Sequence, residues 1–233
     1  MANQRRMTHR RIALLTVASL FIFGCASSTP TIDTSPNAEV TFDGLHEVKG
    51  STASKAWARP GLDLTGYTKI LLQGAGIEYR PGGESGRTAM ARSRGGPYEV
   101  TEEQKERLQQ IVTEAFLDEL SKSTHFTIVE ESGPDVLLIR GALLDVVSYV
   151  PPEPIGRTDI YLSRIGEATL ILEIRDSITE AILARAADRR ALENVSGRLV
   201  KSNRVTNAAD VRFLAQDWAS LLRRRLEAFM GAS

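Results

Sequence analysis

The stretch Val136 to Val150 constrains this chain most. It reads Val-Leu-Leu-Ile-Arg-Gly-Ala-Leu-Leu-Asp-Val-Val-Ser-Tyr-Val and is the longest apolar run after residue 25. Its aliphatic residues do not alternate with polar ones, so a strand built from them is apolar on both faces and needs cover on each. Gly141 marks a bend in it. Pro151, Pro152 and Pro154 end it, because proline has no N–H to donate to a ladder. Such a strand demands a sheet around it, and the rest of the chain must supply the neighbours.

Several segments qualify. Thr68 to Tyr79 reads as the first strand, with Gly74 and Gly76 suggesting a bulge or a close backbone approach. Phe126 to Glu130 is a short strand, turned into the apolar run by Ser132-Gly-Pro134. Ala168 to Asp176 alternates, with Leu170, Leu172 and Ile174 on one side and Thr169, Glu173 and Arg175 on the other, as in a strand with one solvated face. The alanines of 181–190 favour helix by propensity. Only a few residues separate them from the preceding strand, so a hairpin turning at Thr179-Glu180 is the better reading.

Two segments have helical spacing. Thr101 and Gln104 form a capping box. Leu108, Ile111, Val112, Ala115, Phe116 and Leu120 then make one apolar face, ending near Ser123. Asn207 is positioned to cap a last helix with Val211, Leu214, Trp218, Leu221, Leu222 and Phe229 on its apolar side. Arg223-Arg224-Arg225 falls near its C-terminal end, where cations meet the negative pole of the helix dipole; contact with a membrane surface is the alternative. The order strand, helix, four strands, helix predicts an α+β domain. Its sheet is mainly antiparallel with about five strands, and both helices pack on one face.

Two long loops remain, Arg80 to Tyr98 and residues 151–167. The first contains Gly82-Gly-Glu-Ser-Gly-Arg-Thr88. A phosphate-binding loop needs four residues between its glycines and then Lys; here there are three and then Arg87, which leaves a surface loop. If the strand after the first helix runs antiparallel to the first, both loops leave the same edge of the sheet. A parallel crossover puts them at opposite ends.

The N-terminus carries an address. Arg5, Arg6, Arg10 and Arg11 precede a 12-residue apolar run, Ile12 to Phe23, with no acid before residue 25. A basic start, a short apolar core and a small residue before a cut describe a secretory signal. As a helix the run spans roughly 18 Å, against a hydrocarbon core of about 30 Å, so a permanent membrane helix is the weaker reading. Ile22-Phe23-Gly24-Cys25 resembles the lipobox, although Phe23 is bulkier than that place usually holds. The resemblance implies cleavage between Gly24 and Cys25 and acylation of Cys25. One acyl chain holds only marginally, and two or three make attachment effectively permanent. Cys25 is the only cysteine, so no internal disulfide is available. Arg10-Arg11 also admits twin-arginine export, to which the following Ile-Ala-Leu is a poor match. Ala26, rather than Asp, implies by the same resemblance the outer membrane, facing the periplasm.

The expected organisation is a signal peptide at 1–24, a lipidated Cys25 with a polar tether at 25–39, and one domain at 40–233. The tether holds almost no apolar residue to offset the entropy of ordering. Residues 40–67 read as an irregular arm pinned by Trp57, Leu62, Leu64 and Tyr67. Without the four signal arginines, 25 basic residues face 29 acidic ones. No basic stripe interleaved with aromatics suggests nucleic acid.

Three groups of residues resemble an uncharacterised bacterial lipoprotein family, domain of unknown function 3313. They are Phe42-Asp-Gly-Leu45, Arg59-Pro-Gly-x-Asp-Leu-x-x-Tyr67, and Arg175-Asp-Ser-x-Thr179 with Asp188-Arg-Arg190. The resemblance covers roughly 40–230 and implies the hairpin reading of 181–190. That family's hairpins carry Gly after Thr179, where this chain has Glu180. It implies no activity.

Catalytic chemistry is scarce. Only His46 and His125 follow the signal, and neither neighbours a nucleophile motif. A zinc site has too few His and Cys ligands, and no metal or other cofactor is expected. Glu173, Asp176 and Asp188 could serve as paired carboxylates of an envelope hydrolase, but arginines interleave with them, which favours ion pairs. The leading expectation is a lipid-anchored periplasmic module without catalysis that binds an envelope partner. The alternatives are that hydrolase, or a carrier needing an apolar cavity between sheet and helices. Oligomeric state is not legible.

Overall fold

The computed structural model describes residues 30–81, 97–151, 161–193, 200–202 and 204–231. The elements are β1 (Thr31–Ile32), β2 (His46–Lys49), β3 (Lys55–Ala58), β4 (Lys69–Tyr79), α1 (Glu102–Leu120), β5 (Thr127–Val129), β6 (Val136–Ser148), β7 (Tyr161–Leu162), β8 (Arg164–Asp176), β9 (Ile182–Glu193), β10 (Val200–Lys201) and α2 (Arg204–Gly231). Eight strands form one sheet in the order β1-β2-β3-β9-β8-β6-β4-β5, and β7 pairs with β10 separately. The apolar run is indeed central, as β6 between β4 and β8.

The α+β class holds, with two helices on one face. Phe116 and Leu120 of α1 and Trp218, Ala219, Leu222 and Leu226 of α2 share a core with Ile70, Leu137, Ile139, Leu143, Leu170 and Leu172 of the sheet. The capping box forms, with the Thr101 hydroxyl accepting from the Gln104 N–H and the Gln104 carboxamide accepting from the Thr101 N–H. The sheet itself is larger than about five strands and is mixed, with parallel pairs at β4 beside the antiparallel ones. Its greater size comes from the arm before residue 67, which is not irregular: β3 pairs antiparallel with β9 over Lys55–Ala58, and β2 pairs with β3. Thr31 and Ile32, placed in the tether by composition, pair with Lys49 and Val48 of β2.

The mixed character arises around α1. Both β5 and β6 run parallel to β4, on its two sides. The β5–β6 connection is therefore not a hairpin. Because β5 has only three residues, a length of roughly 10 Å, residues 130–135 suffice to bring the chain back to the start of β6. The Ser177 hydroxyl fastens this return, donating to the Gly133 carbonyl at 2.9 Å and accepting from its N–H at 3.1 Å. As a result, both long connections leave the same end of the sheet, although the first crossover is parallel. The Arg80 N–H donates to the Val146 carbonyl and the Tyr98 N–H to that of Ser148. Residues 82–96, including Gly82 to Thr88, and residues 152–160 lie outside the described set.

The β8–β9 hairpin turns where expected. Asp176 accepts from the Thr179 N–H and hydroxyl and from the Ile178 N–H, and the Tyr67 hydroxyl donates to it at 2.9 Å. Glu180 takes a left-handed conformation, φ 55°, which explains why glycine suits the place. Two details of the last helix differ from expectation. It begins at Arg204, so Asn207 is not its cap; the Asn207 carboxamide bonds Ser202 instead. It also runs to Gly231, so the arginine triplet lies before the last turn, and Arg223 pairs with Glu119 and Glu227.

The sheet face away from the helices is laced with ions. Arg185 bridges Glu173 and Asp43, and Arg175 also holds Glu173. Nearer the loop end a β-bulge in β6 places Asp145 at φ 54°. There it meets Arg80 through two bonds, at 2.6 and 2.5 Å, and Arg189 at 2.5 Å. Arg189 also reaches Glu167 at 2.6 Å, and Arg164 pairs with that carboxylate. The bonds from Arg80 and then Arg189 lower the Asp145 carboxyl to about 2. A depressed folded-state pKa means stability that is present above about 4, the unfolded value, and is lost as pH falls through 2. Asp145→Asn should therefore be less stable than the parent at pH 6, with the gap closing between pH 4 and pH 2. Urea unfolding at pH 6, 4 and 2.5 measures it; a gap independent of pH would show that the ionised carboxylate is not what matters.

Candidate functional site

The carboxylates singled out by composition do not gather. By register Glu173 lies opposite Arg185, whereas Asp188 lies opposite the core residue Leu170, so the two point to opposite faces of the sheet. Asp176 caps the hairpin turn. Burial pushes Asp188 up, but hydrogen bonds from Trp218, Ser54 and Arg190 outweigh it and leave the carboxyl lowered. Burial likewise opposes Glu173, and Arg175 and Arg185 win. Each is held ionised by structural partners. The Nδ1 of His46 bonds the Asp33 carbonyl at 2.9 Å, and the His125 side chain is exposed. Among the described residues no three His, Cys, Asp or Glu side chains gather as a metal site requires. Cys25 and Gly24 lie outside the described residues.

A different feature emerges between the sheet and α1. Side chains alternate across β4 and β6, and the core-facing positions run Ile70, Leu72, Gly74 on one strand and Leu137, Ile139, Gly141 on the next. In-register parallel pairing sets Gly74 directly beside Gly141. Two adjacent positions of the helix-facing surface thus carry no side chain. A Cβ built at Gly74 would meet no atom within 4 Å, and one at Gly141 would touch only Leu172 Cδ2 at 3.4 Å. The helix does not descend to fill the gap, because Phe116 and Val112 already rest on the aliphatic residues around it. A second bulge follows, between Gly74 and Ile77, with Gly76 at φ 101°.

The result is a groove of about 410 Å³. Its floor is the glycine pair, and its walls include Ile77, Val112, Phe116, Ile139 and Leu172. Gln109 and Thr113 on α1 supply its polar side chains. It opens sideways because β5 covers only Lys69–Leu71 of β4. Among the described residues the remaining length of β4 is an open sheet edge. A volume in the 300–1,000 Å³ range, apolar walls and a few convergent polar groups are the ordinary makings of a small-ligand site. Leu117, 39% exposed on α1, extends the apolar surface to the mouth. A second hollow of about 340 Å³ lies between β9 and α2, but Arg190 there is already engaged by Asp188 and Asp217.

The glycine pair was visible in part. Gly74 and Gly141 each read as a bulge or bend. Their adjacency was hidden because it needs the parallel register. The usable signal is that each glycine stands five residues after the start of its strand.

Several solved structures resemble the chain at low similarity. A PelC dodecamer from Paraburkholderia phytofirmans is 10% identical with a TM-score of 0.35, covering 71% of this chain and 96% of that one. A Xanthomonas campestris protein of family DUF330 is 12% identical with a TM-score of 0.35, covering 71% and 86%. A neuraminyllactose-binding hemagglutinin homologue from Helicobacter pylori is 9% identical with a TM-score of 0.35, covering 73% and 90%. No curated protein matches the chain. The family match spans residues 35–222, and the chain belongs to the family described as Protein of unknown function (DUF3313).

Proposed function

We propose that this protein is a lipid-anchored envelope module that binds a hydrophobic ligand in the groove between α1 and strands β4 and β6, without transforming it. The observation that carries the reading is the unfilled, apolar-walled space over Gly74 and Gly141. Sequence alone put a protein partner first and made a carrier conditional on a cavity between sheet and helices; such a cavity is present. The anchor rests on Ile22-Phe23-Gly24-Cys25 after a short apolar run. With Ala26 after the cysteine, this reading has the domain at the periplasmic side of the outer membrane, within reach of lipids and other poorly soluble envelope molecules.

Filling the groove tests the site. Gly74→Leu adds a side chain into open space, so the protein should remain as stable as the parent. Labelling of peptides 72–77 and 109–117 by a photoactivatable alkyl diazirine should fall at least tenfold. Undiminished labelling of those peptides would sink the ligand reading. Cys25→Ser, followed with an alkynyl fatty acid in growing cells, tests the anchor; a parent chain that takes up no label would overturn it.

A further inference from the structure

Phe42 is 98% exposed. A ring held in water adds nothing to the core, yet the turn that carries it is fixed on every side. The Thr41 N–H donates to the Leu45 carbonyl at 2.8 Å, the Gly44 N–H to the Thr41 carbonyl at 2.9 Å, and the Leu45 N–H to the Thr41 hydroxyl at 3.0 Å. Gly44 takes the left-handed conformation that the turn requires, φ 80°. Asp43 is pinned to Arg185 of β9 at 2.8 Å, and Leu45 is fully buried. The turn thus directs its polar groups inward and presents a bare ring outward. Because its backbone is already ordered, docking the ring loses little further entropy.

Register places the ring. β2 begins at His46 opposite Ala58, and Ala58 lies opposite Ala184, near the start of β9. The turn at 41–44 therefore sits at the end of the sheet where β8 turns into β9. Ile178, in that hairpin turn, is 60% exposed. Two apolar tips project from this end, and both long connections leave the opposite one. The N-terminal chain enters close by, where Thr31 pairs with Lys49. Only β2, whose four residues rise about 13 Å, separates that entry point from the turn. Residues 26–30 join Cys25 to Thr31, a reach of at most roughly 20 Å. An acylated Cys25 can therefore stand level with Phe42, and the bilayer that takes its acyl chains is an apolar phase always within reach of the ring.

Resting on the anchor reading above, we infer that Phe42 inserts into the surface of the bilayer that holds Cys25, with Ile178 facing the same surface. The domain then stands with its hairpin end toward the lipid and its two long connections away from it. The ring buries apolar surface there, while the N–H groups of Thr41, Gly44 and Leu45 keep their partners inside the turn and lose nothing on leaving water. The anchor makes the contact effectively intramolecular, so one ring suffices to set an orientation that the tether alone leaves free.

The test uses the full chain in growing cells, with Phe42→p-benzoylphenylalanine as the photoreactive variant and Tyr161→p-benzoylphenylalanine as the control, since Tyr161 is exposed at the opposite end of the sheet. After irradiation the purified protein is cut with trypsin and weighed. Arg11 and Lys49 are the nearest cleavage sites on either side of Cys25, so one peptide carries both the anchor and residue 42, and its mass reads acylation and phospholipid adduct together. Phospholipid adducts at 42 should exceed those at 161 at least tenfold. Adducts at 42 no more frequent than at 161, or crosslinks from 42 to protein alone, would overturn the inference, and an acyl group on Cys25 in the same peptide would leave the anchor standing. A peptide running from Ile12 to Lys49 without an acyl group would instead overturn the anchor, while its adduct still decides what residue 42 touches.

Discussion

Replacing Asp188 by alanine should destabilise the domain by about 3 kcal/mol. Asp188 is 8% exposed and joins three parts of the chain that are distant in sequence. Its Oδ2 accepts from the Trp218 indole N–H at 2.9 Å and from Arg190 Nε at 2.7 Å, and its Oδ1 accepts from the Ser54 N–H at 3.0 Å and hydroxyl at 2.8 Å. Thus α2, β9 and the turn before β3 are tied by one carboxylate. Alanine would leave a buried indole N–H unsatisfied, which costs about 1–3 kcal/mol by itself, and would release the other donors. The total should stay near the lower end of the range for breaking a buried pair, about 3–5 kcal/mol, because Arg190 is partly exposed and has Asp217 nearby. Asp188→Asn retains an acceptor and should lose less. Urea unfolding followed by tryptophan fluorescence reads both; a loss under about 1 kcal/mol for alanine would mean the node is not a main tie between α2 and the sheet.

The second large effect belongs to a glycine of the opposite kind from Gly74. Gly166 is buried on β8, opposite Ser148. A Cβ placed there would lie 2.5 Å from the Val147 carbonyl oxygen. That atom is backbone, in a segment held by the Asp145 bulge, so it cannot swing aside as a side-chain tip could. Gly166→Ala should therefore cost about 3 kcal/mol, the upper part of the usual overpacking range. Gly74→Ala, whose Cβ meets nothing, should be neutral or slightly stabilising, since glycine is the less favourable strand residue by roughly 0.5–1 kcal/mol. Thermal unfolding of the two variants side by side is decisive. Equal effects would mean that the close approach at Gly166 is relieved by backbone movement.

These two glycines mark where reading the chain succeeds and where it stops. The elements were legible. The capping box at Thr101 and the periodicity through Leu120 are local, as is the alternation of β8 and the turn chemistry at Asp176 and Thr179. Even Glu180 was identifiable as an unusual turn residue. The arm around Trp57 was not, because β2 and β3 have four residues each and gain their order from pairing rather than from propensity. The carboxylates were correctly read as arginine-paired at Glu173 and Asp188. That they face opposite sides of the sheet follows only from the β8–β9 register.

Local chemistry alone thus determined two helices, the central apolar strand and the hairpin, because capping, periodicity and turn preference act within a few residues. The tertiary structure decided the parallel placement of β5 and β6 about β4, the shared end of the two long connections, and the groove. The physical reason is that strand register is a long-range choice. A shift of one residue between β4 and β6 would separate Gly74 from Gly141, bring a side chain into the space between them, and close the site.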